Sequence, residues 1–323
     1  AIVVYKLMQI IQVSDPFLVA LILRILSALL AFSTLWLFYK NFTNEITDIK
    51  LKRWFILFSF FLWFVIYNGV RFSSENWSGA LFSVAFSLFF LVKNKSFTFY
   101  FLVGVVLGLS FLFRYQAGLL IAGFISWILF VKKEKIINTS FLILGILCMF
   151  ILGILVDKWF YGEWTITAWN YIWQYLEHDV IQGKISIFGH EPWWWYIRQF
   201  IIQGVPPLSI IFIISLVIFI TFKKRSPITW SLLPFLIFHF IVGHKELRFL
   251  FPIIYFLPII LIKAIEIIQL RFISGFASKK YLRIIITICL IVNFIFLSFV
   301  MFSPADHHIA LYRTIYRNYK TPT

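Results

Sequence analysis

Ten long apolar stretches run through this sequence, and they constrain its fold more than any other feature. A helix needs about 20 apolar residues to cross ~30 Å of hydrocarbon, and local thinning of the bilayer accommodates shorter runs. Only helices and closed barrels pair every backbone group in lipid, and these runs lack the alternation of barrel strands. The sequence therefore predicts an all-α polytopic membrane protein with about ten spans. The predicted spans cover residues 17–39, 54–70, 77–92, 97–113, 117–131, 136–156, 208–222, 229–242, 249–264 and 283–302.

Composition and charge exclude two other classes of protein. The chain is 62% hydrophobic and only 13% charged, whereas soluble domains are ~45–50% apolar and ~25% charged. Its net charge of +16 is of the kind found in nucleic-acid-binding proteins, but the basic residues are distributed according to the predicted membrane topology. Alternate connections hold 17 of the 29 Lys and Arg residues and only four of the 13 acids. By the positive-inside rule these connections are cytoplasmic, so the charge requires no nucleic-acid partner.

The predicted topology places both termini outside, which means the periplasm for a bacterial inner membrane and the lumen for an endoplasmic reticulum membrane. We interpret residues 1–323 as one transmembrane domain, with an outer juxtamembrane helix at 1–16. Because the chain begins with Ala1, we expect a first span and a first outer loop upstream of it. The one large outer connection, at 157–207, is rich in Trp and Tyr. Such residues favour the headgroup level, and they also suit stacking on a sugar or a lipid headgroup.

Four ionisable residues crowd one outer turn between two apolar runs, at His244, Lys245, Glu246 and Arg248. One interpretation is a surface turn with an internal Glu246–Arg248 or Lys245–Glu246 ion pair. The other is an anion site. Ionisable side chains are costly to place at a membrane face, so a group of them there indicates a functional role. In that site Lys245 and Arg248 would hold a phosphate. His244 would donate a hydrogen bond or move a proton, and Glu246 would orient the cations or bind substrate hydroxyls.

Other outer turns carry isolated charges, at Arg71, Glu75, Arg114 and Asp157. Each of them suits the end of a helix at the membrane surface as well as a shared basic pocket. The sequence contains no Gly-rich phosphate loop, no zinc-type His/Cys spacing and no Gly-x-Ser-x-Gly elbow. No predicted cytoplasmic loop is long enough to hold a nucleotide sugar. A phosphate reaching this pocket is therefore expected to arrive on a lipid, and no cofactor or metal is predicted.

Five segments, in the same order, resemble the motifs of glycosyltransferase family 22. Residues 244–252 (HKELRFLFP) are similar to the family's His-Lys-Glu-x-Arg-Phe signature. The other four are 71–75 (RFSSE), 113–116 (FRYQ), 157–164 with 169–171 (DKWFYGEW, WNY) and 189–196 (GHEPWWWY). The family includes GPI mannosyltransferases and the α-mannosyltransferases that extend lipid-linked oligosaccharides. One family motif is missing, the His-x-Asp-Glu-like outer loop after the first span that supplies the expected base.

The resemblance implies a GT-C fold and a membrane mannosyltransferase. Such an enzyme is expected to transfer mannose from a polyprenyl or dolichyl phosphate to a lipid-linked or GPI-like glycan on the outer face. It is expected to invert the anomeric centre without a nucleotide or an essential metal. The implied donor-phosphate residues are His244, Lys245, Arg248 and Arg114, and the catalytic base stays unassigned. The implied supporting residues are Glu246, Arg71, Glu75, Asp157, Tyr161, Trp193 and Trp195.

Two other functions stay open at this point. A transporter or lipid flippase would use the outer charges as gating or substrate contacts, but transporters usually show inverted repeats and ionisable groups at mid-membrane. The predicted spans here are nearly free of charge apart from Arg24, and the polar groups crowd one face. An inactive scaffold subunit is the second alternative, because the acidic loop of the family is missing from the sequence.

Overall fold

The computed structural model describes residues 15–175, 189–303 and 308–319, together with residues 6, 8 and 10. Within these residues the fold is all-helical. The α-helices are α1 (Pro16–Phe42), α2 (Ile49–Phe61), α3 (Trp63–Gly69), α4 (Ser74–Leu91), α5 (Phe97–Phe113), α6 (Ala117–Ser126), α7 (Ile136–Tyr161), α8 (Thr167–Tyr175), α9 (Trp195–Gln203), α10 (Leu208–Phe222), α11 (Pro227–Ile241), α12 (Leu257–Arg271), α13 (Lys280–Phe302) and α14 (Ile309–Tyr319). Short 3₁₀ segments lie at Thr43–Glu45, Leu247–Phe256 and Phe276–Ser278, and a π-turn follows α6 at Trp127–Val131.

Four helical segments are long and apolar enough to cross a membrane, and they are Pro16–Glu45, Ile136–Tyr161, Leu247–Arg271 and Lys280–Phe302. Four more apolar helices are shorter: Phe97–Phe113, Ala117–Val131, Leu208–Phe222 and Pro227–Ile241. The helical membrane class is confirmed, whereas the count of about ten spans stays a prediction. Most of the helix predicted over residues 1–16 lies outside the described residues, as does part of the predicted loop 157–207.

The predicted span at 54–70 is interrupted at Leu62, where α2 ends and α3 begins. An interruption in lipid leaves backbone groups unpaired unless a side chain replaces the lost partners. Asn293 of α13 provides that replacement. Its side chain donates to the Phe61 carbonyl at 2.7 Å and accepts from the Trp63 amide at 2.8 Å. A single buried amide from a distant helix therefore satisfies both ends of the interruption.

Small residues allow the central helices to approach one another closely. A Cβ added at Gly104 of α5 would lie 2.0 Å from the Leu142 carbonyl oxygen of α7. A Cβ at Gly79 of α4 would lie 2.4 Å from the Pro252 Cα. Any larger residue at Gly79 would therefore push the 3₁₀ segment Leu247–Phe256 away from α4. This contact fixes the two elements that carry Glu75 and Arg248 relative to each other.

A cluster of phenylalanine rings fills the core beneath the outer turns. Phe86 of α4 lies 5.3 Å from Phe256 and 5.1 Å from Phe124 of α6, between ring centroids. Phe38 of α1 contacts Phe256 edge-on at 5.0 Å. Such edge-to-face and tilted pairs add to the gain from apolar packing. The cluster ties α1, α4 and α6 to the 3₁₀ segment below the charged turns.

Candidate functional site

The turn at 243–248 joins the end of α11 to the 3₁₀ segment Leu247–Phe256. Lys245 is only 5% exposed, and its ammonium donates to the carbonyls of His239 and Phe240, each at 3.0 Å, and to that of Val242. The last carbonyls of a helix have no partner within the helix, and a cation there also suits the helix dipole. Lys245 therefore caps α11 and anchors the turn, which leaves its neighbours to face the site.

Two arginines from distant parts of the chain meet at one carboxylate. Arg114 Nη1 lies 3.4 Å from Glu75 Oε1, and Arg248 Nε lies 3.9 Å from the same atom. Glu75 is 4% exposed, and its second oxygen accepts from the Ser74 hydroxyl at 3.1 Å. It lies in the first turn of α4, where a negative charge suits the helix dipole. The two guanidinium groups therefore share one buried counter-ion at the outer end of α4.

A second carboxylate holds Arg248 from the exposed side. Glu246 Oε2 lies 2.5 Å from Arg248 Nε, and Glu246 Oε1 accepts from Arg248 Nη2 at 2.9 Å. His244 Nε2 lies 3.2 Å from Glu246 Oε1. The hydrogen bond from Arg248 lowers the pKa of the Glu246 carboxyl below its ordinary value, and His244 acts in the same direction. Arg248, with a side chain 56% exposed, is thus oriented by two carboxylates while still open to solvent.

The Phe249 ring lies at the centre of these charges. The guanidinium carbon of Arg114 lies 4.7 Å from its centroid and that of Arg248 lies 5.9 Å away. The His244 ring packs against it edge-on at 5.6 Å. A cation over an aromatic face is attracted by the ring quadrupole. Phe249 therefore holds both guanidinium groups near each other on one apolar support.

The segment that precedes α9 docks directly on the charged turn. The Glu191 amide donates to the Gly243 carbonyl at 2.9 Å, and a Cβ at Gly243 would lie 2.4 Å from the His190 ring. Tyr196 of α9 is buried, and its ring lies 5.5 Å from the Lys245 ammonium. Burial raises the pKa of the Tyr196 hydroxyl above its ordinary range. Residues 190–196 of the predicted outer connection are thus part of the site.

The profile of the Alg9-like mannosyltransferase family matches residues 1–323 of this chain. The chain belongs to that family. The resemblance to family 22 that the five motifs indicated is therefore confirmed. Among the described residues of this Alg9-like chain, no group of three or more His, Cys, Asp and Glu residues is arranged to hold a metal ion.

Several relatives are similar to this Alg9-like chain over part of their length. GPI alpha-1,2-mannosyltransferase 3 of Xenopus laevis is 27% identical over 233 residues, which cover 66% of this chain and 39% of the relative. The protein of the same name from Bos taurus is 25% identical over 276 residues, which cover 78% and 46%. A probable Dol-P-Man:Man(7)GlcNAc(2)-PP-Dol alpha-1,6-mannosyltransferase of Schizosaccharomyces pombe is 27% identical over 207 residues, which cover 63% and 35%. The chain thus spans less than half the length of these curated relatives. No solved structure matches it significantly.

The structure brings together five of the residues singled out in the Alg9-like sequence. His244, Glu246, Arg248, Arg114 and Glu75 form one connected charge cluster through the contacts given above. Lys245 adjoins the cluster but directs its ammonium to the end of α11.

The other predicted residues take different positions. Arg71 lies over the Tyr67 ring at 3.8 Å, and among the described ion pairs it has none with Glu75. Asp157 Oδ2 accepts from the Thr167 amide at 3.2 Å, at the start of α8. Tyr161 and Trp193 are exposed, and the Trp195 ring packs on Tyr196 at 5.3 Å.

The sequence analysis did not predict the polar contacts that lie beneath the outer charge cluster. Asn76 Oδ1 accepts from the Tyr255 hydroxyl at 2.6 Å and from the Asn68 amide at 3.3 Å. The Asn76 amide donates to the Arg71 carbonyl at 2.8 Å. All of these side chains except that of Arg71 are buried. The available signal was the pair of asparagines flanking the Arg71–Glu75 motif, since polar amides in an apolar region need partners.

Proposed function

We propose that this chain forms the donor-binding part of a membrane mannosyltransferase that uses a polyprenyl- or dolichyl-phosphate-linked hexose. The observation that carries the proposal is the convergence of Arg114 and Arg248 on one oxygen of Glu75, at 3.4 and 3.9 Å. Two fixed guanidinium groups beside an apolar ring suit a lipid phosphate, because arginine forks bind phosphate oxygens in pairs.

The same cations suit the chemistry of transfer to a lipid-linked glycan acceptor. As the bond between the anomeric carbon and the phosphate oxygen breaks, its electron pair goes to the phosphate and a new bond forms to the acceptor oxygen. Donors aimed at that developing charge lower the barrier. The acceptor hydroxyl proton must pass to a base. Both Glu75 and Glu246 are engaged with arginines, so we assign the role of base to neither of them.

The finer features of the function belong to the same proposal. We infer that the site lies on the luminal face of the endoplasmic reticulum or the periplasmic face of a bacterial inner membrane, within about ten spans. We also infer inversion at the anomeric carbon without a metal or other cofactor. His244 would donate to the phosphate, and Lys245 would hold the turn that carries His244 and Arg248. The family membership and the outer charge cluster support these inferences.

A transfer assay tests the proposal. The protein, expressed from its complete coding sequence, is placed in proteoliposomes with polyprenyl-phosphate-[¹⁴C]mannose and a lipid-linked glycan. We expect transfer, and we expect Arg114→Gln and Arg248→Gln each to reduce it at least a hundred-fold while the protein stays folded. Lys223→Gln, at the predicted cytoplasmic end of α10, is the matched loss of one cation and should transfer normally. Absence of transfer from every polyprenyl-phosphate sugar tried would overturn the proposal.

A further inference from the structure

Four buried polar atoms near Phe249 have no hydrogen-bond partner within the described ranges. They are Arg114 Nε, Gln116 Oε1, the Tyr196 hydroxyl and His239 Nε2. Gln116 is 8% exposed and His239 is 3% exposed. Buried polar groups in native proteins are nearly always paired, because an unpaired group has lost its hydrogen bonds to water without replacement. Several such atoms beside a binding site indicate that a bound ligand supplies their missing hydrogen bonds.

These atoms come from three separate elements, and most of their side chains are linked through the Phe249 and His239 rings. Arg114 lies over the Phe249 ring at 4.7 Å, and the His239 ring lies 6.5 Å from the same ring. The Tyr196 ring lies 6.4 Å from the His239 ring. Gln116 follows Arg114 by two residues in the turn between α5 and α6. Ring contacts thus connect Arg114, His239 and Tyr196 around Phe249, and Gln116 belongs to the same turn as Arg114.

Their existing hydrogen bonds define what each atom can offer. His239 Nδ1 lies 2.7 Å from the Phe235 carbonyl and donates to it, so Nε2 is an acceptor. The Gln116 amide nitrogen donates to the Tyr171 hydroxyl at 2.9 Å, which leaves Oε1 as an acceptor. Arg114 Nε offers a donor. The Tyr196 hydroxyl offers another donor, because the neighbouring Glu246 backbone amide can only donate to the hydroxyl oxygen and leaves the hydroxyl proton available.

Two acceptors and two donors suit a polyol rather than an ion. Every sugar hydroxyl both donates and accepts, whereas a cation would satisfy only the acceptors and an anion only the donors. The Tyr196 and Phe249 rings supply apolar surface of the kind that packs on a sugar ring. The atoms are covered by neighbouring side chains, so a bound sugar requires those neighbours to move aside.

We propose that Gln116, Tyr196 and His239 bind the hydroxyl groups of the hexosyl unit of the donor, on the inner side of its phosphate. This inference rests on the proposed function, because the arginine cluster provides the adjoining phosphate site. The buried acceptors and donors of these three side chains would bind the sugar, and the guanidinium groups of Arg114 and Arg248 would bind the phosphate.

Binding measurements distinguish the proposed sugar subsite from the phosphate site. Full-length protein in nanodiscs is titrated with polyprenyl-phosphate-mannose and, separately, with polyprenyl phosphate that carries no sugar. We expect Gln116→Met, Tyr196→Phe and His239→Phe each to raise the Kd of the mannose-bearing lipid about ten-fold or more. The Kd of the bare polyprenyl phosphate should stay unchanged. Tyr196→Phe should melt at or above the temperature of the unaltered protein, because it removes a hydroxyl that has no partner in the described chain.

Ser87→Ala is the matched control. It also removes a buried hydroxyl without a described partner, but Ser87 lies about 20 Å along α4 from Ser74 at 1.5 Å per residue. It should alter neither affinity. If the variants raise the Kd of both lipids equally, or of neither, the sugar subsite is overturned and the phosphate proposal stands. Unaltered protein that binds both lipids equally well would do the same. Unaltered protein that binds neither lipid would overturn both proposals.

Discussion

The Tyr255 hydroxyl donates to Asn76 Oδ1 at 2.6 Å, across 179 residues of sequence. Tyr255 belongs to the 3₁₀ segment that carries Arg248, and Asn76 follows Glu75 in α4. Both side chains are buried. This bond therefore sets the distance between the element that holds the arginine and the element that holds its carboxylate. It is also a buried polar contact whose loss leaves an acceptor short of one partner.

Tyr255→Phe is expected to destabilise the protein by about 1–2 kcal/mol, because a buried hydrogen bond is lost while the ring packing is kept. Transfer activity should fall several-fold as Arg248 loses its fixed position relative to Glu75. The measurements are thermal unfolding in detergent and the transfer assay. Tyr281→Phe, which alters an exposed tyrosine, serves as the control. Unaltered stability in Tyr255→Phe would contradict the role given to this bond.

Glu75→Gln is expected to lower kcat/KM for the donor at least ten-fold. The change keeps the shape of the side chain but removes the shared counter-ion of Arg114 and Arg248, and an uncompensated, partly buried charge is strongly destabilising. Steady-state kinetics with polyprenyl-phosphate-mannose measure this kcat/KM. A more active Glu75→Gln variant would instead show that this carboxylate competes with the phosphate.

Lys245→Met is expected to lower stability by about 1–3 kcal/mol. The variant keeps a long unbranched side chain but leaves the last carbonyls of α11 without their donor. The loss should be seen as a lower melting temperature in detergent. Lys223→Met, at the predicted cytoplasmic face, should melt as the unaltered protein does. A Lys245→Met protein of normal stability that fails to bind polyprenyl phosphate would show that Lys245 acts on the phosphate directly.

Glu134→Gln is expected to reduce the loss of stability in acid. Burial disfavours the charged form of Glu134, but hydrogen bonds from Lys132 and Asn138 outweigh burial and lower its pKa from 4.5 to about 2. A carboxylate with a lowered pKa stabilises the folded state above its ordinary pKa, and this contribution is lost as the pH falls toward 2. Melting temperatures at pH 6 and pH 3 should therefore differ less in Glu134→Gln than in the unaltered protein. Glu45→Gln, at a 57% exposed side chain, should preserve the full difference.

Local features of the sequence were enough to predict the class of the protein and most of the residues that form the outer charge cluster. Long apolar runs without alternation require helices in lipid, so the all-helical class followed from composition and pattern alone. The charges of the 244–248 turn and of Arg114 were conspicuous because ionisable groups are costly at a membrane face. The five motifs then indicated the family that the profile match confirms. Each of these features is local and can be read along the chain.

Which polar groups contact each other, and in which direction each side chain points, depends on how the helices pack. Lys245 and Arg248 are both cations of the same turn, and the sequence does not distinguish their roles. In the structure Lys245 caps α11, whereas Arg248 contacts Glu75. The interruption at Leu62 and its closure by Asn293 have no signature in a local pattern. These contacts join residues tens to hundreds of positions apart, so they depend on how the helices pack. Periodicity and composition report which faces are buried, whereas packing determines which polar atoms find each other.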